Sequence, residues 1–261
     1  MRLGFVGVGA ISEAVIEALL TGPNAADIEV VLSPRNAERS AKLAAKYSKA
    51  SIGSSNQNVL DQSDVVFMGV LPGQMNDVCA DLMFRADHTV VSLIAGMPPS
   101  TVAGIVSPAT EVVQMIPLPV IAMHAGPLVI CPGNTAMVKL FEGCGEIVVL
   151  NDEAHIFILS CTSAAMSTFF EYQNTVINWS ASAGLPNDIA HKYATSLFKG
   201  LATEAMATPF AHLPEMPREH ETPGGLNEHI RTSLIKAGMF DEVTKQLEHI
   251  YVTRNRTKKS D

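Results

Sequence analysis

The chain has 261 residues, of which 47% are hydrophobic and 17% charged, and a formal net charge of -8 at pH 7. This length and composition predict a soluble globular protein of one large or two smaller domains, and the acidic balance argues against nucleic acid or an anionic membrane as a partner. The four cysteines are widely spaced among apolar neighbours, and the histidines show no metal-ligand spacing. We therefore expect reduced thiols, no metal site and a cytoplasmic location.

The first twenty residues predict a strand, a glycine turn and a helix. An apolar strand over Arg2–Val6 is followed by Gly7-Val8-Gly9-Ala10-Ile11-Ser12 and then by a helical pattern through Leu20. In a Rossmann unit the first glycine permits the tight turn, and the second lets a pyrophosphate approach the helix N-terminus. Ser12 takes the place of the third glycine. Gly7, Gly9, Ala10 and Ile11 are therefore predicted to bind the cofactor.

The end of the second predicted strand, residues 28–32, indicates which nucleotide is bound. NAD enzymes usually carry Asp or Glu at this point, whereas this chain has Ser33-Pro34-Arg35-Asn36. A hydroxyl and a guanidinium suit the extra charge and acceptor oxygens of a 2′-phosphate. We predict NADPH, with NADH as the alternative, and assign Ser33, Arg35 and Asn36 to its binding.

Strands and helices then alternate as far as residue 151. We predict helices over 36–47, 74–84, 98–106 and 136–141, and strands over 64–70, 89–94, 111–116 and 146–150, with irregular or edge structure over 117–133. Strands that are apolar throughout imply a doubly wound, mostly parallel sheet covered on both faces. Because dinucleotides bind at the carboxyl ends of such strands, the turns Val70-Leu71-Pro72 and Ala95-Gly96 should line the cofactor cleft.

The pattern after residue 151 is helical, with predicted helices over 152–183, 187–208 and 224–250. We therefore divide the chain into a nucleotide-binding domain, 1–151, and an all-helical substrate and dimerisation domain, 152–261. Apolar residues lie on more than one face of the 156–181 helix. A second subunit is expected to cover them, which predicts a homodimer.

The stretch Thr222-Pro223-Gly224-Gly225-Leu226-Asn227 reads as a helix start that could hold an anion. Thr222 suits the N-cap and Pro223 the first helical position, so the glycine amides would be left uncovered for a carboxylate or phosphate. An ordinary capped helix explains these six residues equally well.

Taken together, these motifs resemble the pyrroline-5-carboxylate reductase family. The shared segments, which agree in order and spacing over nearly the whole chain, are Gly4-Phe5-Val6-Gly7-Val8-Gly9, Ser33-Pro34-Arg35-Asn36, Asn56, Ala95-Gly96, Ala183-Gly184-Leu185-Pro186 and Thr222-Pro223-Gly224-Gly225. The resemblance implies hydride transfer from NADPH to the C=N bond of a small cyclic imino acid, giving proline. It adds Asn56 to the cofactor site, and it places the substrate at Gly224, Gly225, Leu226, Asn227 and Thr162, with Asn227 and Thr222 as catalytic residues.

The chain departs from the family pattern mainly on the substrate side. The two threonines that usually follow the glycines are Leu226 and Asn227, the usual lysine is Leu71, and the usual asparagine is Leu118. The glycine-rich turn of the first long helix reads Ser160-Cys161-Thr162-Ser163-Ala164-Ala165. Two alternatives therefore stay open: an NADPH-dependent imine or carbonyl reductase with a different small carboxylate substrate, and a catalytically idle NADP-binding protein.

Overall fold

The computed structural model describes residues 1–257 of the chain. The chain divides into two compact units, Met1–Phe157 and Ile158–Asp261, which we call unit 1 and unit 2. The division falls inside a helix, Ala154–Ser163, whereas the sequence placed the domain boundary after residue 151.

Unit 1 is built on one eight-stranded sheet. Its strands are β1 (Arg2–Val6), β2 (Glu29–Leu32), β3 (Ala50–Ile52), β4 (Val65–Met68), β5 (Thr89–Ser92), β6 (Glu111–Pro117), β7 (Pro127–Cys131) and β8 (Glu146–Val149). Their spatial order is β3-β2-β1-β4-β5-β6-β7-β8, and every neighbouring pair is parallel except β6 and β7. The predicted mostly parallel, doubly wound sheet is confirmed.

Six helices complete unit 1, and a seventh leads out of it. They are α1 (Ala10–Thr21), α2 (Ala37–Lys46), α3 (Asn56–Asp61), α4 (Met75–Cys79), α5 (Pro99–Ile105), α6 (Thr135–Leu140) and α7 (Ala154–Ser163). The helices of unit 1 cover both faces of the sheet, so its central strands are buried. On one face Phe5 stacks on Phe67 with ring centroids 4.5 Å apart, because β1 and β4 pair these residues in register.

The region predicted as irregular or edge structure contains strand β7, which lies inside the sheet between β6 and β8. Pro127 is its first residue and Pro132 follows its last, so neither ring interrupts the hydrogen-bonded ladder. The sequence also missed β3, which has three residues and forms an edge of the sheet.

The helix predicted over 74–84 is shorter in the structure, where α4 ends at Cys79. Gln57 of α3 explains the early end. The Met83 amide donates to Gln57 Oε1 at 2.8 Å, and Gln57 Nε2 donates to Met83 O at 3.2 Å. These side-chain bonds replace the helical ones that residue 83 would otherwise form.

Unit 2 is helical over the residues described. Its helices after α7 are α8 (Met166–Ser182), α9 (Asn187–Ala207), α10 (Met216–Glu219), α11 (Leu226–Lys236) and α12 (Met239–Thr257). Two predicted helices are broken. Between α7 and α8 the hydroxyls of Thr162 and Ser163 donate to carbonyls four residues back, a pattern that bends helices. Between α11 and α12, Gly238 has a φ of +74°, which ends a helix.

All four cysteines are buried and unpaired. Burial raises the pKa of the Cys79 thiol to about 11 and also raises the pKa values of Cys131 and Cys144, which makes these thiols poor nucleophiles.

Within residues 1–257 no helix has both the length and the apolar character needed to cross a bilayer. The same residues hold no cluster of three or more side chains suited to a metal ion.

Candidate active site

The turn after β1 has a conformation that glycine adopts readily and other residues do not. Gly7 has a φ of +90°, and a Cβ at this position would lie 2.7 Å from Gly69 O. Gly69 follows β4, the neighbour of β1, and its amide donates to Val6 O at 2.8 Å. Two glycines from adjacent strands therefore allow the turn to lie directly against the end of β4.

The second glycine of the turn leaves the start of α1 open. Gly9 precedes the first helical residue with extended backbone, and it contributes no side-chain cap. A Cβ on Gly9 would meet only Gly69 O, at 4.0 Å, so the space over the first helical amides is free. Open amides at a helix N-terminus attract phosphate, and this end of α1 fits the pyrophosphate of a dinucleotide.

Ser12, which stands where the motif usually has its third glycine, forms a hydrogen bond with the glycine turn. The residue is 1% exposed, and its Oγ donates to Gly7 O at 2.8 Å. The hydroxyl therefore satisfies a turn carbonyl that a glycine at this position would leave without this partner.

Ser33, which the sequence predicts to bind the cofactor, is not among the residues that line the cavity described below. Its side chain is fully buried, and its Oγ accepts a hydrogen bond from the Gly7 amide at 3.0 Å. Its carbonyl accepts a second bond, from Ser40 Oγ at 2.9 Å. Ser33 thus ties the end of β2 to the glycine turn, through a hydroxyl that is bound to the Gly7 amide.

Asn36 has two local tasks at the start of α2. Its Oδ1 accepts from the Arg39 amide at 3.4 Å, which caps the helix, and its Nδ2 donates to Val8 O at 3.0 Å. One side chain therefore fixes the start of α2 against the glycine turn.

Arg35 is the cation that this region leaves available for a phosphate. It is exposed and forms no ion pair with any residue that the structure describes. Arg39 is already committed, because its Nε lies 2.8 Å from the Glu13 carboxylate, which also binds Lys42 at 3.0 Å. A free guanidinium can grip phosphate oxygens bidentately.

A cavity of about 830 Å³ joins these features in unit 1. It lies at the carboxyl ends of β1, β2, β4 and β5, where parallel sheets bind dinucleotides. Ten of the predicted cofactor residues line it: Gly7, Gly9, Ala10, Ile11, Arg35, Asn36, Val70, Leu71, Pro72 and Ala95.

Two other predicted cofactor residues lie outside the cavity lining. Asn56 is the first residue of α3, a helix capped by Ser55, and it is only partly exposed. Gly96 has a φ of +83° and is exposed, yet the lining of this cavity ends at Ala95. Asn56 was predicted from the family resemblance alone, whereas Gly96 was predicted together with Ala95 as the turn at the carboxyl end of a strand.

The structure adds lining residues that the sequence did not single out, among them Glu38, Gly69, Gln74 and Ile94. Gly69 could have been found from the sequence, since a glycine directly after a buried strand suggests close backbone approach. Ile94 is held from behind by Gln114, whose Nε2 donates to Ile94 O at 2.8 Å. The side-chain oxygen of Gln114, Oε1, has no hydrogen-bond partner among the described residues. Nothing in the sequence indicated the contact between Gln114 and Ile94.

In unit 2 the residues Thr222 to Gly225 form a turn and do not begin the helix. The Gly225 amide donates to Thr222 O at 2.8 Å, and Gly224 has a φ of +72°. Proline followed by a glycine of positive φ is typical of a type II turn. Helix α11 begins at Leu226 with Gly225 as its N-cap, so the assignment of Thr222 as the cap is wrong.

The two glycine amides are also not bare, contrary to our expectation. The Gly225 amide bonds to Thr222 O, and the Gly224 amide donates to Oε2 of Glu228 at 2.6 Å. Glu228 reaches back from the first turn of α11, much as the acidic residue of a capping box does. The amides without an intrahelical acceptor are those that follow the cap, beginning with Leu226 and Asn227.

The polar side chains predicted to touch the substrate are partly engaged. Asn227 Nδ2 donates to His220 O at 2.7 Å, which leaves its Oδ1 as the atom that can accept from a ligand. Thr162 Oγ1 donates to Ile158 O at 3.1 Å and is exposed. Leu226 is 85% exposed.

Two ionic contacts anchor the segment before α11. Nδ1 of His220 lies 2.9 Å from Met216 O and Nε2 lies 3.1 Å from the Glu204 carboxylate, so both nitrogens face acceptors. The carbonyl and then the carboxylate raise the pKa of His220. Arg231 donates through Nε and Nη2 to both oxygens of Glu221 and lowers the pKa of that carboxyl.

Comparison with known families defines the class of protein. Residues 2–96 match the family described as NADP oxidoreductase coenzyme F420-dependent. The matched region contains the glycine turn, Arg35 and the turn after β4, which are the parts that line the cavity of unit 1. The expectations of an oxidoreductase and of an NADP-type cofactor are confirmed at the level of this domain family.

Proteins of one kind resemble the chain over most of its length. The chain is 24% identical over 249 residues to pyrroline-5-carboxylate reductase 3 of Mus musculus, a match that covers 91% of this chain and 89% of that protein. Its fold matches the pyrroline-5-carboxylate reductase of Coxiella burnetii with a TM-score of 0.82, at 18% identity over 98% of this chain and 97% of that one. It also matches the NADP-bound pyrroline carboxylate reductase of Plasmodium falciparum with a TM-score of 0.79, at 17% identity over 97% and 96% of the two chains. The chain is thus similar in sequence to pyrroline-5-carboxylate reductases over most of its length, and it shares their fold.

Proposed function

We propose that this protein is an NADPH-dependent reductase of the C=N bond of a small cyclic imino acid, with pyrroline-5-carboxylate reduced to proline. One observation carries the proposal: an unpaired Arg35 lies in the same cavity as the open helix end at Gly9. This pair suits a nucleotide that has both a pyrophosphate and a 2′-phosphate. The names of the similar proteins supply the substrate class.

The nucleotide would be held by residues of unit 1. The α1 amides would receive the pyrophosphate, Arg35 the 2′-phosphate, and the backbone of Val70, Leu71 and Ala95 would border the nicotinamide end. When bound, NADPH supplies the hydride. The chain's own task is to hold donor and acceptor in line and to exclude water.

The imino acid is assigned to unit 2. Its carboxylate would meet the amides of Leu226 and Asn227 at the start of α11, with Thr162 as a further contact, because the amides of Gly224 and Gly225 already donate to Glu228 and Thr222. Asn227 Oδ1 would accept the N–H of the protonated imine, which orients the ring and keeps its carbon electrophilic. Thr222 would hold the turn that presents these groups. Hydride adds to the imine carbon and the nitrogen retains its proton, which yields a secondary amine.

A steady-state assay tests the proposal. NADPH oxidation is followed at saturating pyrroline-5-carboxylate, beside 1-pyrroline, a six-membered cyclic imine and a small 2-oxo acid. We expect turnover of the five-membered imines and little turnover of the 2-oxo acid. Turnover of the 2-oxo acid alone would favour a carbonyl reductase. Tight NADPH binding without turnover of any compound would favour the idle alternative.

We also propose that the protein acts as a homodimer in the cytoplasm. Among the described apolar residues of unit 2 only Cys161, Ala190 and Ala194 are buried, while large side chains such as Trp179 and Phe210 are exposed. A second copy of the chain would cover such a surface. Four unpaired thiols accord with a reducing compartment.

A further inference from the structure

We propose that Gln114 is a positioning residue for the nicotinamide end of the cofactor, and that it acts through the backbone of Ile94. The inference rests on the proposed function, which puts the nicotinamide beside Ala95. Gln114 belongs to β6 and is 1% exposed, so its side chain is not a direct contact of the cofactor. Its hydrogen bond to Ile94, a residue of the cavity lining, connects it to the site.

The cavity has two ends, and Gln114 lies behind one of them. Arg35 lies beyond the end of β2 and Ala95 beyond the end of β5, with β1 and β4 between these strands. Neighbouring strands lie about 4.8 Å apart, so the three intervals from β2 to β5 span about 14 Å. A cofactor whose 2′-phosphate meets Arg35 and whose pyrophosphate meets α1 therefore brings its nicotinamide to the β5 end.

The β5 end of the cavity is formed by backbone that leaves the sheet. Strand β5 ends at Ser92, which is the last residue paired with both β4 and β6. The next three residues, Leu93, Ile94 and Ala95, line the cavity, and Gly96 after them has a φ of +83°. Strand pairing therefore ends just before the segment that would border the nicotinamide.

Two buried side chains hold the peptide groups of Ile94. Gln114 Nε2 donates to Ile94 O at 2.8 Å, and Ser92 Oγ accepts from the Ile94 amide at 3.3 Å. Ser92 and Gln114 are directly paired across β5 and β6, and neither is more than 1% exposed. The Ile94 carbonyl carbon is bonded to the Ala95 nitrogen, so the hydrogen bond from Gln114 also determines where Ala95 lies.

The buried amide of Gln114 is unfavourable for stability, which indicates a role beyond packing. Its Oε1 has no hydrogen-bond partner within residues 1–257, and a buried acceptor without a partner destabilises a fold. Methionine has a similar length and no polar oxygen, so it would fill the same space without this cost. An amide that uses only its donor is expected where a functional site depends on that one bond.

The test compares wild type with Gln114→Met and with Ser92→Ala, each of which removes one side-chain bond to Ile94. Ser63→Ala is the matched control for the serine change. Ser63 is also buried in unit 1, and its Oγ donates to Val59 O at 2.6 Å, but it does not line the cavity. Thermal unfolding establishes that each variant is folded. If Gln114→Met does not fold, Ser92→Ala decides in its place.

The main readout is the dissociation constant of NADPH divided by that of 2′-phospho-ADP-ribose, which is the same nucleotide without its nicotinamide. We expect Gln114→Met to raise this ratio by about threefold to tenfold, the effect of one lost hydrogen bond. Ser92→Ala should raise it less, because its bond is longer, and Ser63→Ala should leave it unchanged. An unchanged ratio in Gln114→Met, equal weakening of both ligands, or a rise in Ser63→Ala overturns the inference.

Turnover gives a second readout. At saturating NADPH we expect the kcat of Gln114→Met for pyrroline-5-carboxylate to fall by about tenfold or more, while KM for the imine stays close to its wild-type value. A hydride donor displaced from its acceptor slows transfer without loss of imine binding. An unchanged kcat, or a loss that appears only in KM, contradicts a role in positioning the nicotinamide.

The two readouts separate failure of this inference from failure of the proposed function. If the wild type binds NADPH but reduces no imine, the proposed reaction fails, and the ratio of dissociation constants still decides the role of Gln114. If the wild type reduces the imine and the ratio does not change in Gln114→Met, the inference alone fails. A wild type that binds neither nucleotide refutes both.

Discussion

At the scale of single residues, some side chains that could bind a ligand instead form hydrogen bonds within the chain. The Ser33 hydroxyl holds the Gly7 amide, and the Glu228 carboxylate holds the Gly224 amide. Arg35 is the contrasting case, since neither Glu13 nor any other described carboxylate pairs with it. Its position within the cavity makes it the side chain most open to a direct test.

Replacing Arg35 with alanine should weaken NADPH binding far more than NADH binding. Charge-assisted bonds to a phosphate contribute about 1.5–3 kcal/mol, so we expect the NADPH dissociation constant to rise by roughly tenfold to a hundredfold. NADH lacks the 2′-phosphate and should be affected only slightly. Nucleotide fluorescence titration measures both constants.

Arg39→Ala is the control for this experiment. It removes the same charge four residues along the chain, but the Arg39 guanidinium is bound to Glu13. We expect the ratio of the two dissociation constants to stay at its wild-type value. Equal losses of NADPH and NADH in Arg35→Ala would contradict the assignment of Arg35.

At the scale of elements, the first turn of α2 links stability to the cavity. Asn36 caps this helix and also donates to Val8 O in the glycine turn. The capping bond is long, at 3.4 Å, while the bond to Val8 O is 3.0 Å. The residue therefore positions one element against another as well as closing the end of a helix.

Asn36→Ala should lower the free energy of unfolding by about 1 kcal/mol and should also weaken NADPH binding, because the glycine turn loses its lateral support. Asn134→Ala is the matched control, since Asn134 caps α6 through a 3.0 Å bond to the Met137 amide and does not line the cavity. Chemical denaturation and NADPH titration give the two quantities. A loss of stability in both variants with equal NADPH affinity would show that Asn36 acts only as a cap.

At the scale of the whole molecule, the two units differ in how completely they bury their apolar side chains. Unit 1 buries its strands on both faces of the sheet, whereas the helices of unit 2 expose many large hydrophobic residues. Many exposed large apolar side chains in one helical unit are typical of an association surface. The homodimer proposed above follows from this contrast.

Trp179→Glu combined with Tyr193→Glu should convert the dimer to monomer, because charges would be introduced at two side chains that are each 69% exposed in the chain. Light scattering coupled to size-exclusion chromatography measures the mass in solution. Met83→Glu, at an apolar residue of unit 1 that is 74% exposed, is the control and should leave the mass unchanged. A wild-type protein that is monomeric at micromolar concentration would refute the proposal.

Local patterns were enough to predict the sheet and the nucleotide turn. Buried parallel strands are runs of apolar residues, and Gly7 and Gly9 mark a turn that the neighbouring residues are enough to recognise. The positions of β1 and α1, and most of the cavity lining, therefore follow from the order of residues along the chain. Strand β3 does not, since three residues carry too little periodicity.

Only the tertiary structure decided which polar groups remain available to a ligand. Sequence patterns show that Ser33, Arg35, Gly224 and Glu228 are present, but a hydrogen bond between side chain and backbone depends on the path that the chain takes between them. The Ser33 hydroxyl accepts a hydrogen bond from the Gly7 amide, twenty-six residues away, and the Glu228 carboxylate accepts one from the Gly224 amide. Arg35 forms no ion pair with any described residue. The sequence by itself thus determined the nucleotide-binding architecture. The tertiary structure determined which polar and charged side chains remain available to a ligand, because a donor or acceptor forms a hydrogen bond only where the fold brings a partner within reach.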